Sequence, residues 1–204
     1  MLKKLASDAL GLSDIGKIIL PADYDKTDAD DYVMHEDQEK IYFLIKTKQD
    51  EYCFTNLALI HVDGESAVSS KRMLKRYPYA QYKITNVLLE TAGRVDLDIE
   101  IKFTVGNVEF DIDVRKDQLD LLKDLYKALV KISELTHENE IYANMATNSL
   151  EKAAQTLQNA RLEEGNVAKT YQDITNYSFE WLKSAHEQYH VKDFGAVFEK
   201  YINN

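Results

Sequence analysis

Two segments near the middle of the chain alternate apolar and charged side chains with a period of two residues. They cover Val95–Phe103 and Val108–Val114. This alternation predicts two strands, each with one buried face and one face in water. The Gly106-Asn107 pair between them supplies a tight turn, so the two strands are expected to pair as an antiparallel hairpin.

Five further strands are predicted upstream, which gives seven consecutive antiparallel strands at short spacing. An Asp63-Gly64 pair marks one of the turns between them. The five predicted strands are Ile41–Lys46, Tyr52–Thr55, Leu57–Gly64, Ser66–Arg76 and Gln81–Glu90. Before them we expect an amphipathic helix over the first twenty residues, with a break near Gly11 and a continuation capped by Asp14. A solvated acidic loop over Pro21–Glu39 follows this helix.

The remainder of the chain is predicted to be helical. A helix beginning near Lys116 carries an apolar row at Leu119, Leu122, Tyr126, Leu129 and Ser133, and it is suited to cover the open end of a barrel. After about residue 135 two helical segments, 137–162 and 167–190, are joined by a turn in which Gly165 and Asn166 suit caps. Small residues along the first segment favour close packing, so the pair is interpreted as an antiparallel helical hairpin.

Four stretches carry a family resemblance: Ala6–Lys17, Asp28–Asp37, Asp50–Asn56 and Asn86–Gly93. They resemble the bacterial pleckstrin-homology (PH) domain proteins of the YvbH type. The resemblance implies an α+β fold, with a seven-stranded antiparallel β-barrel and its capping helix over residues 1–135. It also implies a helical hairpin over residues 136–204 that serves oligomerisation, and a tendency to form rings. It implies no particular biochemical activity.

Charge and composition exclude several classes of protein. The net charge of −10 lacks the clustered positive charge that sequence-independent nucleic-acid binding requires, so no nucleic-acid partner is expected. No apolar run approaches the ~20 residues of a membrane span. The one cysteine, Cys53, excludes an internal disulfide and suits a reducing compartment. A cytoplasmic protein is therefore predicted, with association at a membrane surface left open.

The densest positive run is the candidate site for an anionic partner. It comprises Lys71, Arg72, Lys75 and Arg76. On a strand these cations divide between the two faces, so the run is typical either of a charged edge strand or of a weak site for an acidic protein or anionic lipid. Phosphoinositide-binding PH domains have a basic first hairpin, whereas the corresponding hairpin here carries Asp50 and Glu51 beside its lysines.

An HExxH sequence near the C-terminus makes His186 and His190 weak candidates for metal ligands. On a helix the two imidazoles share a face and can hold zinc, with Glu187 placed to activate water. The usual third ligand downstream is missing, although folding of the hairpin can bring His137 close. A solvated helix end is the alternative interpretation. No activating partner accompanies Cys53 and no Gly-rich loop is present, so neither an enzyme nor a cofactor is predicted.

Aromatic residues in the tail exceed what the seam of a two-helix hairpin can bury. The candidates for an oligomer interface are Tyr171, Tyr177, Phe179, Trp181 and Tyr189, and Phe194, Phe198 and Tyr201 add to them. They need a second subunit, the protein's own barrel or a bilayer interface. We therefore predict a non-enzymatic scaffold or adaptor that forms a homo-oligomer and binds a further protein. The alternative is a peripheral module that binds anionic lipid through weak basic patches.

Overall fold

Each predicted strand has a counterpart among the described residues, where the strands form two antiparallel sheets. Residues 66–71 and 95–97 of the predicted strands lie outside the described residues. In the computed structural model, residues 15–64, 72–91, 98–158 and 167–202 are described. The first sheet has the strand order β1-β2-β3-β4-β5 and the second has the order β6-β7-β8. Their bounds are β1 Lys17–Ile19, β2 Ile41–Lys46, β3 Glu51–Thr55, β4 Ala58–Gly64, β5 Arg72–Pro78, β6 Ile84–Glu90, β7 Asp98–Val105 and β8 Val108–Arg115.

The strand arrangement differs from the closed seven-stranded barrel that was predicted. The described residues contain eight strands, and no ladder joins β5 to β6. At the opposite ends of the two sheets, Gly16 forms a bridge with Val114, and the amide of Gly16 donates a 2.7 Å hydrogen bond to the carbonyl of Asp113. A Cβ atom at residue 16 would lie 2.8 Å from that carbonyl, so glycine permits the close approach.

The additional strand, β1, lies where the sequence predicted a helix. Ile18 of β1 pairs with Ile45 of β2 and is buried. The helical interpretation is therefore wrong for Lys17–Ile19, because pairing with a distant strand decides the conformation of this short apolar segment. Ile15, Gly16 and Leu20 are not helical either, whereas residues 1–14 of the predicted helix, and the predicted caps Gly165 and Asn166, lie outside the described residues.

The acidic segment between β1 and β2 contains three short 3₁₀ turns, at Pro21–Lys26, Asp30–Tyr32 and His35–Asp37. It is only partly the solvated loop that was predicted. Ala29 and Val33 of this segment are buried against Leu44, Cys53, Ile60 and Val62 of the first sheet.

The first long helix, α1, spans Leu119–Gln158 and extends far beyond the predicted covering helix. No glycine or proline interrupts the sequence there, so the predicted separation near residue 135 is absent. Its buried stripe contains Leu122, Leu125, Ala128, Leu129 and Ile132, whereas the predicted Leu119, Tyr126 and Ser133 are half-buried flanks.

The described residues form two compact units. The β unit contains the residues up to Ser133 together with those from Lys192, and the hairpin unit contains Glu134–Val191. The described residues from Lys192 onward therefore group with the β unit. Two helices complete the chain, α2 over Val167–Tyr189 and α3 over Gly195–Ile202.

Helix α3 belongs to the β unit because its aromatic residues enter the core of that unit. Phe198 is fully buried, with its ring stacked 5.3 Å from that of Tyr42, and Phe194 packs edge-on against Tyr79 at 5.8 Å. The side-chain amide of Asn56 donates a 2.7 Å hydrogen bond to the carboxylate of Asp193, which lies just before α3. For Phe194 and Phe198, the protein's own sheet supplies the surface that the sequence left undecided.

The hairpin unit pairs the second half of α1 with α2 in antiparallel orientation. The indole Nε1 of Trp181 donates a 3.3 Å hydrogen bond to the carbonyl of Ala146, and the rings of Tyr142 and Tyr189 stack at 5.5 Å. No residue of α2 is buried, and the seam is formed by half-buried side chains such as Ala143 and Ile174. The predicted antiparallel pairing of these two helical segments is present.

Candidate functional site

The exposed aromatic surface of α2 contains most of the predicted interface residues. Tyr171, Tyr177 and Phe179 have 72%, 67% and 65% of their surface exposed, and Trp181 has 41%. Tyr189 is half-buried by its contact with Tyr142. The rings of Tyr177 and Trp181 lie 6.5 Å apart, whereas helical geometry places Phe179 about 160° around α2 from both of them. Large exposed apolar side chains are typical of an interaction surface.

Sequence reasoning missed the contribution of α1 to the same surface. Ile141, Tyr142 and Met145 are exposed on the second half of α1, with 58% of Met145 accessible. Leu182 is also exposed on α2. The spacing of Tyr142 and Met145, three residues apart on a helix, was the available signal for a shared face.

This surface contains two apolar hollows along the seam between α1 and α2. One has a volume of about 270 Å³ and is lined by residues that include Met145, Ala146 and Trp181. The other has a volume of about 280 Å³ and is lined by residues that include Ala153, Ala154 and Tyr177. Alanine side chains leave these hollows open because they fill little of the space between the helices.

Carboxylates of the same unit neutralise the described cations of the predicted anion-binding run. Nε of Arg72 lies 3.3 Å from Asp28, Nζ of Lys75 lies 2.9 Å from Asp63, and Nη2 of Arg76 lies 2.8 Å from Glu39. Lys71 falls outside the described residues. Three cations that are already paired offer little of the convergent positive charge that a phosphate group requires.

The Arg76–Glu39 pair also has a structural role. The Glu39 side chain is fully buried and accepts a second hydrogen bond, from the hydroxyl of Thr55. Removing one partner of such a pair leaves a buried charge uncompensated. This pair ties β5 to the segment that precedes β2.

The hairpin between β2 and β3 lies beside an acidic cavity of about 380 Å³. Asp50, Asp111 and Asp113 line it together with Tyr52. A hydrogen bond with Glu100, together with burial and the charge of Glu100, raises the pKa of Asp111 to about 6. The pKa of Glu100 is lowered by its hydrogen bonds with Asp111 and Lys102, so a proton shared by the two carboxyl groups resides on Asp111. The negative charge of these carboxylates disfavours the binding of an anionic lipid headgroup in this cavity.

The candidate metal ligands lie together at the end of α2. The imidazole rings of His186 and His190 stack with their centroids 4.6 Å apart. Among the described residues, no three His, Cys, Asp or Glu side chains are grouped so that they could hold a metal ion. A metal at this position therefore remains a sequence-based prediction.

The thiol of Cys53 is fully buried in β3. Burial raises its pKa strongly, and the nearby charges of Glu39 and Glu51 act in the same direction. A thiol held in its protonated form is a poor nucleophile, so Cys53 has the properties of a packing residue. None of the described helices has the length and apolar composition that a membrane span needs.

Comparison with known proteins decides the family. Residues 9–133 match the model of the bacterial PH domain. This chain belongs to the bacterial PH domain family. Residues 144–204 of this PH protein match a second model, the YvbH-like oligomerisation region, which includes most of the exposed aromatic surface described above.

Two relatives resemble this bacterial PH protein over nearly its whole length. It is 69% identical to the uncharacterized protein YvbH of Bacillus subtilis strain 168, with all of both chains aligned. A crystal structure of a PH-domain-containing protein from Exiguobacterium sibiricum is 54% identical, with 93% of this chain and all of that chain covered and a TM-score of 0.86. A shorter match, 31% identical over 97 residues, is to the uncharacterized protein YjqA of Bacillus subtilis. It covers 46% of this chain and 74% of YjqA.

Proposed function

We propose that this protein is a non-enzymatic scaffold that self-associates through the hairpin unit and thereby presents several PH-like β units to a partner protein. One observation carries the proposal: α2 buries none of its residues, yet exposes aromatic side chains at Tyr171, Tyr177, Phe179 and Trp181. The match of residues 144–204 to a YvbH-like oligomerisation region supports a second copy of the chain as the surface that covers them.

Assembly gives weak binding a physical advantage. When several β units are linked, each further contact with a multivalent partner forms at a high effective concentration, so total affinity can exceed that of one unit by about 10²–10⁴. A scaffold of this kind needs no catalytic group. The buried, protonated thiol of Cys53 is consistent with that role.

Light scattering after size-exclusion chromatography tests the proposal on the full chain of 23.5 kDa. We expect a mass that is a multiple of this value, and a smaller mass for the double variant Tyr177→Glu/Trp181→Glu, because charged groups would be desolvated in the interface. Gln81→Glu is the matched control, since it adds a charge at an exposed polar position of the β unit, outside the hairpin unit. A monomeric wild-type protein would refute self-association.

A further inference from the structure

Helix α3 occupies a surface of the β unit that is formed by Tyr42, Asn56 and Tyr79, which we call the α3-binding surface. The ring of Phe198 stacks on that of Tyr42, and the ring of Phe194, directly before the helix, packs edge-on against Tyr79. The backbone amide of Phe194 donates a 2.8 Å hydrogen bond to the carbonyl of Asn56. Two buried rings four residues apart therefore hold this segment on the β unit.

Two hydrogen-bond donors of the α3-binding surface suit carboxylates at the two ends of the bound pattern. The side-chain carbonyl of Asn56 accepts a 2.8 Å hydrogen bond from the amide of Lys40, so its NH₂ group is directed to Asp193, 2.7 Å away. The hydroxyl of Tyr42 donates a 2.9 Å hydrogen bond to Glu199. Burial, together with the hydrogen bond to Glu199, raises the pKa of Tyr42 to about 12, so the hydroxyl stays protonated and remains a donor. The surface therefore fits an acidic residue, two phenylalanines four residues apart and a second acidic residue.

Helix α3 and the surface that it covers belong to two different sequence modules. The three residues of the α3-binding surface fall within 9–133, the match to the bacterial PH domain, whereas α3 falls within 144–204, the YvbH-like oligomerisation region. The helix has eight residues, and residues 190–194 before it are not helical, so its release interrupts no longer helix. A short segment held by few contacts opens at a lower free energy than the core strands beside it. The PH domain thus carries a helix-binding surface that a segment from outside the domain fills.

We infer that the α3-binding surface is a docking site for an amphipathic helix of a partner protein, and that α3 keeps this site closed until such a helix displaces it. The inference rests on the proposed function, in which the β units bind a partner protein, and it specifies the surface that they use. The partner helix would carry the pattern of Asp193, Phe194, Phe198 and Glu199. Presentation of several β units favours the exchange, because a multivalent partner then competes with α3 at a high effective concentration.

Competition with a peptide tests the inference on the full chain. The probe is a fluorescein-labelled peptide with the sequence of residues 190–204, and fluorescence polarisation measures its dissociation constant. We expect weak binding to wild type, because α3 occupies the surface and the apparent affinity falls with the fraction of molecules in which the surface is free. Phe198→Ala in the full chain weakens the hold of α3 but leaves the surface intact, so the peptide should bind at least about 100-fold more tightly.

A second variant keeps both rings and removes only the polar contacts of α3. Asp193→Ala/Glu199→Ala should increase the affinity for the peptide by at least about 10-fold, because each lost hydrogen bond involves a charged group. Phe179→Ala is the matched control and should bind the peptide as wild type does, since Phe179 is an exposed residue of the hairpin unit. Circular dichroism confirms that each variant is folded. Equal affinities in wild type and in both α3 variants would overturn the inference.

A host peptide tests the chemistry of the partner separately. It keeps Asp193, Phe194, Phe198 and Glu199 at their spacing and replaces the other residues by alanine and lysine, which favour a helix. We expect it to displace the labelled peptide from the Phe198→Ala protein with an affinity within about 10-fold of the unlabelled parent peptide. The control host peptide has its second phenylalanine moved by two positions, to the opposite side of the helix, and should not compete. Equal competition by the two host peptides would overturn the assigned pattern.

Light scattering separates this inference from the proposed function. A monomeric wild-type protein would overturn self-association, whereas the peptide assays would still report on the α3-binding surface. We expect Asp193→Ala/Glu199→Ala to have the mass of wild type, with and without the peptide, because α3 lies on the β unit of its own chain. A loss of mass in either case would show that α3 joins two copies, and would overturn a site for a partner protein.

Discussion

Replacement of Phe198 by alanine removes the ring that holds α3 in the β unit. Phe198 is fully buried, its ring stacks on that of Tyr42, and it lies 6.2 Å from that of Tyr79. Truncating a buried phenylalanine costs about 3–5 kcal/mol, because transfer free energy is lost and a cavity remains. A helix of eight residues has little stability of its own, so α3 depends on this contact.

Urea unfolding measures the effect. With a slope of about 2 kcal/mol/M, a loss of about 4 kcal/mol moves the midpoint to lower urea by about 2 M. Hydrogen exchange of the β2 amides at a fixed protein concentration reports the β unit separately, and we expect their protection to decrease. Phe179→Ala is the matched control: it removes the same atoms from an exposed position in the hairpin unit, so β2 protection should change little.

Equal loss of β2 protection in Phe198→Ala and Phe179→Ala would refute the assignment of α3 to the core of the β unit. A change below about 1 kcal/mol for Phe198→Ala would refute it as well. The polar contacts give a second perturbation, because Tyr42→Phe removes the hydroxyl that donates a 2.9 Å hydrogen bond to Glu199. A bond to a charged group contributes about 1.5–3 kcal/mol, so this variant should be less destabilised than Phe198→Ala.

Three further predictions concern the β unit. Gly106 has φ +61°, and a Cβ atom there would lie 2.8 Å from the Tyr82 ring, so Gly106→Ala should lower the free energy of unfolding by at least about 1–2 kcal/mol in urea titrations. Because the pKa of Asp111 is raised to about 6, the folded protein binds its proton more tightly than the unfolded chain, and the free energy of unfolding should fall as pH rises from about 4 to 6. Asp111→Asn should reduce this slope, and in Glu100→Gln an NMR titration of Asp111 should show a lower midpoint. Cys53 should react with a thiol reagent much more slowly in the folded protein than in denaturant, and equal rates would contradict its burial.

Several elements could be predicted because their signals are local. The alternation of Ile99, Ile101 and Phe103 with charged residues determines which face of β7 is buried, whatever lies opposite. The hairpin between β7 and β8 needs only the turn at Gly106. The antiparallel pairing of the two helical segments that follow residue 135 was similarly visible in apolar spacing.

Other elements depended on partners that are distant in the sequence. Ile18 fits a helical row as well as a strand, and only its pairing with Ile45 selects the strand. Three cations of the predicted anion-binding run, Arg72, Lys75 and Arg76, form ion pairs with carboxylates from other segments of the chain. No local sequence pattern reveals the position of such a partner, for example Glu39 beside Arg76. The α1 side of the exposed hairpin surface went unnoticed because Tyr142 and Met145 form no long apolar row of their own.

The sequence by itself determined seven of the eight described strands, the helical character of the chain after β8 and the surplus of aromatic residues in the tail, because each follows from spacing along the chain. Only the tertiary structure decided where those aromatic residues lie. Phe194 and Phe198 are buried by Tyr42 and Tyr79, whereas Phe179 has no aromatic neighbour among the described residues and lies exposed. The physical reason is that burial is a property of two surfaces, and the second surface comes from residues more than one hundred positions away.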